Sequence, residues 1–260
     1  MKLFAAIAVT SYLIAAGLAA GEQAHSKGAN AVNPVDIRAV APALEHYEQK
    51  ILKSDLWKRP GLSVRDRSIV TVAVLITRGQ IAELSGYLNF ALDNGVKPSE
   101  ISEIITHLAF YAGWGQAIQA VPIAGEVFGE RKIAADQLSP AVPKLLDLNE
   151  AAEADRAKRV GDLYGTVFPG VTQYTTDVLF RDLWLRPALA PRDRSLVTIS
   201  SLVASGQVAQ LTGHVTIGLN NGLTQAEIVE TLTHLAFYAG WPNVFTAMPI
   251  AKDVFEKRGR

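Results

Sequence analysis

The 260-residue chain contains no cysteine. That absence excludes disulfides, thiolate metal sites and any cysteine nucleophile. It also lacks an excess of either charge, with 25 Lys and Arg against 25 Asp and Glu. No basic run interleaved with aromatics is present, so the electrostatic footprint of a nucleic-acid binder is missing. Strand-type alternation and hairpin turn pairs are missing as well, which leaves an all-α fold. A long apolar run occurs once, from Leu3 to Leu18 behind Lys2, and ends among small residues at Gly17, Ala19, Ala20 and Gly21. It reads as a signal peptide over residues 1–21, with export to the periplasm or secretion as the outcome. The alternative is an uncleaved anchor, since the run is close to the length a bilayer needs. Once the leader is cleaved, no membrane partner is expected.

What remains is apolar enough, at 49% of residues overall, to bury a large core. It is also written twice. Asp55-Leu56-Trp57 recurs as Asp182-Leu183-Trp184, Arg65-Asp66-Arg67-Ser68 as Arg192-Asp193-Arg194-Ser195, and the segment from His107 to Trp114 as His234 to Trp241. The offset is a constant 127 positions, and about half of the positions from Asp55 to Glu130 are identical. Solenoid units run roughly 20 to 50 residues, so a period this long is a duplicated domain. The proline-bearing stretch Gln137 to Lys144 reads as the linker, placing one copy at 34–136 and the other at 145–260, each expected to own a core.

The local signals are helical. Ser63 before Asp66 resembles a capping box, and Pro191 occupies a first-turn position in the second copy. The helix from Arg67 to Thr77 is apolar almost all round, as a buried helix would be. The next, from about Gln80 to Asp93, stops at Asn94-Gly95, and its counterpart stops at Asn221-Gly222. A third starts at Pro98 in one copy and after Thr224 in the other, and ends at Gly113 or Gly240. A fourth spans about Gln116 to Glu130.

Candidate chemistry lies on the second and third helices. Glu100, Glu103, His107, Tyr111 and Trp114 follow one another at three- and four-residue spacing, as do Glu227, Glu230, His234, Tyr238 and Trp241. Each imidazole thereby shares a helix face with a carboxylate and a phenol, an arrangement expected to orient it and raise its pKa. The competing reading is a structural histidine at a helix contact, with the tryptophans as interface packing. On the second helix the copies differ: Glu83 and Tyr87 share a face in the first, Gln210 and His214 in the second. An active site is therefore better placed in the second copy, completed by residues of a neighbouring domain. Arg65, Arg67, Arg192 and Arg194 open the buried helices, where they can either grip a substrate carboxylate or form structural ion pairs.

Taken together, the Trp-x-Arg-Pro segments (Trp57 to Pro60, Trp184 to Pro187), the Arg-Asp-Arg-Ser helix start, the Gly-Gln segment and the His-Leu-Ala-Phe-Tyr-Ala-Gly-Trp run resemble the carboxymuconolactone decarboxylase family. The resemblance covers nearly all of the mature chain and implies two tandem copies of an AhpD-like helical domain. One branch of that family is a thiol peroxidase with a Cys-x-x-Cys-x-x-His motif. The matching positions here are Ile81, Leu84 and Tyr87, and Val208, Leu211 and His214, so the thiols of that chemistry are missing. The other branch decarboxylates a carboxylated muconolactone.

From that branch the resemblance implies a decarboxylase, or a related lyase or isomerase, acting on a small carboxylated lactone or keto acid without metal or organic cofactor. His214 would be the acid, Arg192 or Arg194 would hold the substrate carboxylate, and His234 with Tyr238 would be hydrogen-bond donors. His107, Glu83, Tyr111, Trp114 and Trp241, with Arg65 and Arg67, complete the set of candidates. Tyr87 in place of the family histidine implies a scaffolding role for the first half. A homo-oligomer, a trimer of tandem chains, is implied by the same likeness. The alternative is a non-catalytic binding or assembly protein of the same fold.

Overall fold

The computed structural model describes residues 37–259; the signal peptide expected over residues 1–21 lies outside them. Residues 37–47 form two short helices, α1 (Ile37–Val40) and α2 (Pro42–Tyr47). The chain from Glu48 onward is one compact body. Its first repeat consists of α3 (Val64–Thr77), α4 (Ile81–Asp93), α5 (Pro98–Tyr111) and α6 (Trp114–Glu130). After the linker come α7 (Glu150–Tyr164) and α8 (Pro169–Tyr174), then the second repeat: α9 (Pro191–Ala204), α10 (Leu211–Asn220), α11 (Gln225–Tyr238) and α12 (Trp241–Arg258). No strand occurs among the described residues.

Local chemistry sets the boundaries. The Ser63 hydroxyl accepts from the Asp66 amide at 3.0 Å and starts α3. Thr224 and Glu227 form a reciprocal capping box that starts α11. Gly95 and Gly222, at φ of 89° and 101°, take the left-handed conformation that ends the second helix of each repeat. One boundary differs between the copies. Where α4 begins at Ile81, the equivalent stretch Val208–Gln210 is a single 3₁₀ turn, and α10 begins only at Leu211. His214 therefore lies in the first turn or so of its helix.

The expectation that each copy owns a core is not met. One continuous apolar cluster runs from Ile69, Val72 and Leu75 on α3 through Leu196, Val197 and Ile199 on α9 to the helices of both repeats. The two central helices pack on each other, and the third helix of each repeat crosses to the other: α5 packs on α9, and α11 on α3. This explains why α3 reads as apolar on every side: from Asp66 to Thr77 every residue is buried. An isolated repeat would leave that surface in water, at a cost of roughly 25 cal/mol per Å² of apolar area.

Candidate active site

The crossing of third helices builds two related side-chain clusters, each drawn from both copies. In site A, Glu103, His107 and Tyr111 of α5 meet Trp184, Arg186, Arg194, Thr198 and His214 of the second repeat. In site B, Glu230, His234 and Tyr238 of α11 meet Trp57, Arg59, Arg67, Thr71 and Tyr87 of the first.

The centre of each cluster is a locked imidazole. In site A the Thr198 hydroxyl donates to the Arg194 carbonyl at 2.8 Å, so it must accept from His107 Nε2, 2.7 Å away. Arg194 Nη1, which can only donate, stands 3.3 Å from His107 Nδ1. His107 is thus assigned as the neutral tautomer protonated at Nε2, with both nitrogens occupied. Site B repeats this with Thr71, Arg67 and His234 at 2.8 and 3.5 Å. Neither imidazole retains a nitrogen for proton transfer.

Electrostatics agree, and they reverse the expected raising of these pKa values. Burial, reinforced by the adjacent Arg67 guanidinium, pushes His234 down to about 3. Burial and Arg194 hold His107 well below its ordinary value. Glu103 does not compensate His107, because it is engaged elsewhere: it accepts from Arg194 at 2.8 Å, Arg186 at 2.9 Å and Ser139 at 2.5 Å. Burial opposes its ionisation, but those hydrogen bonds together hold its pKa below the usual carboxylate value.

His214 is a different kind of group. It is half-buried, its ring stacks on Trp184 with centroids 6.0 Å apart, and it meets Tyr111 edge-on at 5.3 Å. Burial pushes its pKa down to about 4. Its Nδ1 has no hydrogen-bond partner in the protein. Tyr111 accepts from Trp184 Nε1 at 2.8 Å, which leaves its own proton to donate. Site A therefore presents an uncommitted imidazole nitrogen beside a phenol. In site B, Tyr87 fills the place of His214, and its hydroxyl pairs with Tyr238 at 3.0 Å while Trp57 Nε1 donates to Tyr238 at 2.9 Å. That cluster is largely self-satisfied.

The remaining candidates fall elsewhere. His234 and Tyr238 belong to site B and do not join His214, because the third helices cross over. Arg67 and Arg194 are fully buried and spend their terminal nitrogens on Glu230, Glu103, the partner imidazoles and the carbonyls of Arg59 and Arg186. Arg65 pairs with Asp66, Glu100 and Asp193, and Arg192 with Asp66, Asp193 and Glu227, in one network that clasps the starts of α3 and α9. In this structure all four arginines are paired with the protein's own carboxylates. Glu83 is exposed on α4, and its charge acts on Tyr87 and Tyr238 of site B, not on site A. Trp114 and Trp241 project outward, 65% and 51% exposed, and pack on Phe110 and Phe237. Trp184, Thr198 and Arg186 were not singled out from sequence; the repeated Asp-Leu-Trp and Arg-Pro segments were the signal for two of them.

Three depressed imidazoles make the fold acid-sensitive. A histidine whose folded pKa lies below its ordinary 6.5 contributes stability that is complete above pH 6.5 and is lost as pH falls toward the folded value. Each proton taken up on unfolding steepens the loss by about 1.4 kcal/mol per pH unit. The urea midpoint is therefore expected to drop sharply between about pH 6.5 and 4.5, and to drop less steeply in His214→Gln. A midpoint that stays constant across that window contradicts neutral buried imidazoles.

A family model described as the carboxymuconolactone decarboxylase family matches residues 42–126 and again residues 169–253. Over 95 residues the chain is 35% identical to a 4-carboxymuconolactone decarboxylase of Acinetobacter baylyi, covering 36% of this chain and 71% of the relative. Over 77 residues it is 32% identical to a nitrosuccinic acid decarboxylase of Metarhizium robertsii, covering 30% of this chain and 54% of that protein. It is also 27% identical over 110 residues to an uncharacterized 15.0 kDa protein of Paracoccus denitrificans, covering 36% of this chain and 82% of that one. With the family pattern matched in each repeat and both repeats folded into one helical body, the chain belongs to the carboxymuconolactone decarboxylase family, as a tandem member.

Proposed function

We propose that this protein decarboxylates a small carboxylated lactone or keto acid at site A. The observation that carries the reading is the unpartnered Nδ1 of His214, on a ring that packs edge-on against the Tyr111 ring. The resemblance to two named decarboxylases gives it the reaction class.

Decarboxylation breaks the bond between the carboxylate carbon and its neighbour. Carbon dioxide leaves, and the electron pair passes into the adjoining carbonyl as an enolate, which then takes a proton on carbon. The substrate's own carbonyl is the electron sink, so the step calls for oxyanion donors and a proton source. Tyr111 serves as a donor to the developing oxyanion; burial holds its pKa above the ordinary phenol value, so it stays protonated at neutral pH. His214, neutral in the free protein, is raised toward protonation when an anionic substrate lies against it, and then delivers the proton. Site B, with its tyrosines paired, acts as scaffold.

The test is direct. The purified chain is incubated with a panel of carboxylated muconolactones, nitrosuccinate and β-keto acids, and carbon dioxide release is followed. Release on at least one of them is expected. No release on any, with ligand binding retained, favours the binding-protein alternative.

Two further expectations accompany this reading. The leader places the activity outside the cytoplasm. The chain also assembles with copies of itself as a trimer, supported by two outward apolar faces. One carries Phe110, Trp114, Ile118 and Val121, and the other lines an open groove of about 680 Å³ beside Trp241, Phe245 and Met248. Sedimentation is expected to give three chains per particle, and Trp241→Glu to shift it toward monomer. A stable wild-type monomer contradicts the assembly.

A further inference from the structure

If Arg192 and Arg194 are committed to the protein's own carboxylates, a carboxylated substrate needs another cation. Helix α7, which has no counterpart among the described residues of the first repeat, brings one to site A. Arg156 Nε and Nη2 donate to the two oxygens of Glu153 at 2.7 and 2.6 Å, and Nη2 also donates to Thr176 at 3.0 Å. Its guanidinium carbon lies 4.3 Å from the centre of the Phe180 ring. Phe180 stacks on Trp184 at 6.0 Å and 8°, and Trp184 stacks in turn on His214. One layered assembly thus runs from the guanidinium to the imidazole.

The third nitrogen, Nη1, is buried and has no partner in the protein. By contrast, Arg186 places Nε on Glu103, Nη1 on the Ala141 carbonyl, and Nη2 on Ser139 and the Pro140 carbonyl. Arg194 is sealed, whereas the Arg156 side chain keeps 13% of its surface exposed. Of the three arginines at site A, Arg156 is the one with a whole terminal nitrogen uncommitted. Its charge also reaches the Tyr111 hydroxyl.

We infer that Arg156 Nη1 is the carboxylate-binding group of site A, and that the ligand is a small diacid anchored there by one carboxylate with its other end between Tyr111 and His214. This deepens the decarboxylase reading and rests on it for the substrate class. The Phe180 face and the Thr176 hydroxyl hold the guanidinium before the ligand arrives, so little rotamer freedom is lost on binding, while Glu153 competes with the ligand for its charge. In the first repeat Lys53 stands where Phe180 does, paired with Glu48, so site B lacks the same aromatic shelf.

The experiment is calorimetric titration of the full chain with succinate, and with dimethyl succinate as the uncharged control. The wild type is expected to bind succinate. Arg156→Gln is expected to weaken succinate by about tenfold or more, the size of a charged hydrogen bond, and to leave the diester unchanged. Because Arg156→Gln strands the buried Glu153 and risks misfolding, Glu153→Gln is measured in parallel. It removes a competing negative charge and is expected to tighten succinate several-fold, whereas a purely structural pair gives no gain. Absence of succinate binding by the wild type overturns the assignment. So does equal affinity in a folded Arg156→Gln, or unchanged or weaker binding by Glu153→Gln. Arg156-dependent succinate binding without turnover of any carboxylated lactone or keto acid keeps the anion site and overturns the decarboxylase reading instead.

Discussion

Replacing Glu103 by Gln, or Arg194 by Met, is expected to destabilise the protein by about 3–5 kcal/mol, because either change strands a buried charge without its partner. Both side chains are fully buried and meet at 2.8 Å. Losing Arg194 also leaves His107 Nδ1 and the Arg186 carbonyl without the hydrogen bonds it supplies. Total stability of a domain is only about 5–15 kcal/mol, so the change is a large share of the whole. Arg59 and Glu230 give the internal comparison. There the arginine side chain is 41% exposed, and water can replace what is lost. Urea unfolding of Glu103→Gln beside Arg59→Met measures the difference. Equal, small losses in both would contradict a sealed pair at site A.

His214→Gln is expected to lower kcat on the substrate found by about 10²–10⁴, the usual contribution of a positioned proton donor. Stability should change little, since its Nδ1 makes no hydrogen bond in the protein. Tyr238→Phe, the corresponding change in site B, is expected to leave kcat near wild type while loosening the Trp57–Tyr238–Tyr87 cluster. The pair separates a working site from a structural one. Full activity in His214→Gln removes it from the chemistry, and a large loss of kcat in Tyr238→Phe makes site B a participant.

Much of the fold could be read from the chain because its punctuation is local. Ser63, Thr224, Gly95 and Gly222 mark helix ends through contacts within a few residues, and the repeat offset is visible by inspection. The shared core was hidden for the opposite reason. Side chains such as Ile69 and Leu196 read as core in either arrangement, and nothing local says that α5 crosses to α9. The site suffered from the same gap. His107, Tyr111 and His214 were each recognisable, but with the helices uncrossed His214 was grouped with His234 and Tyr238. The sign of the histidine shifts was missed because helical spacing shows Glu103 beside His107 but cannot show how deeply the crossed helices bury the imidazoles, nor Arg194 arriving from the other repeat.

The crossed third helices also bear on how such a protein can diverge. In an assembly of two identical chains, any substitution appears in both sites at once, so neither can be altered without the other. Joining the copies in one polypeptide removes that constraint. A change at position 87 touches one cluster, and a change at position 214 touches the other. One cluster can then close on itself through paired tyrosines, while the other keeps an imidazole nitrogen without a partner. Fusion has given a pseudo-symmetric body the freedom to hold two unlike sites.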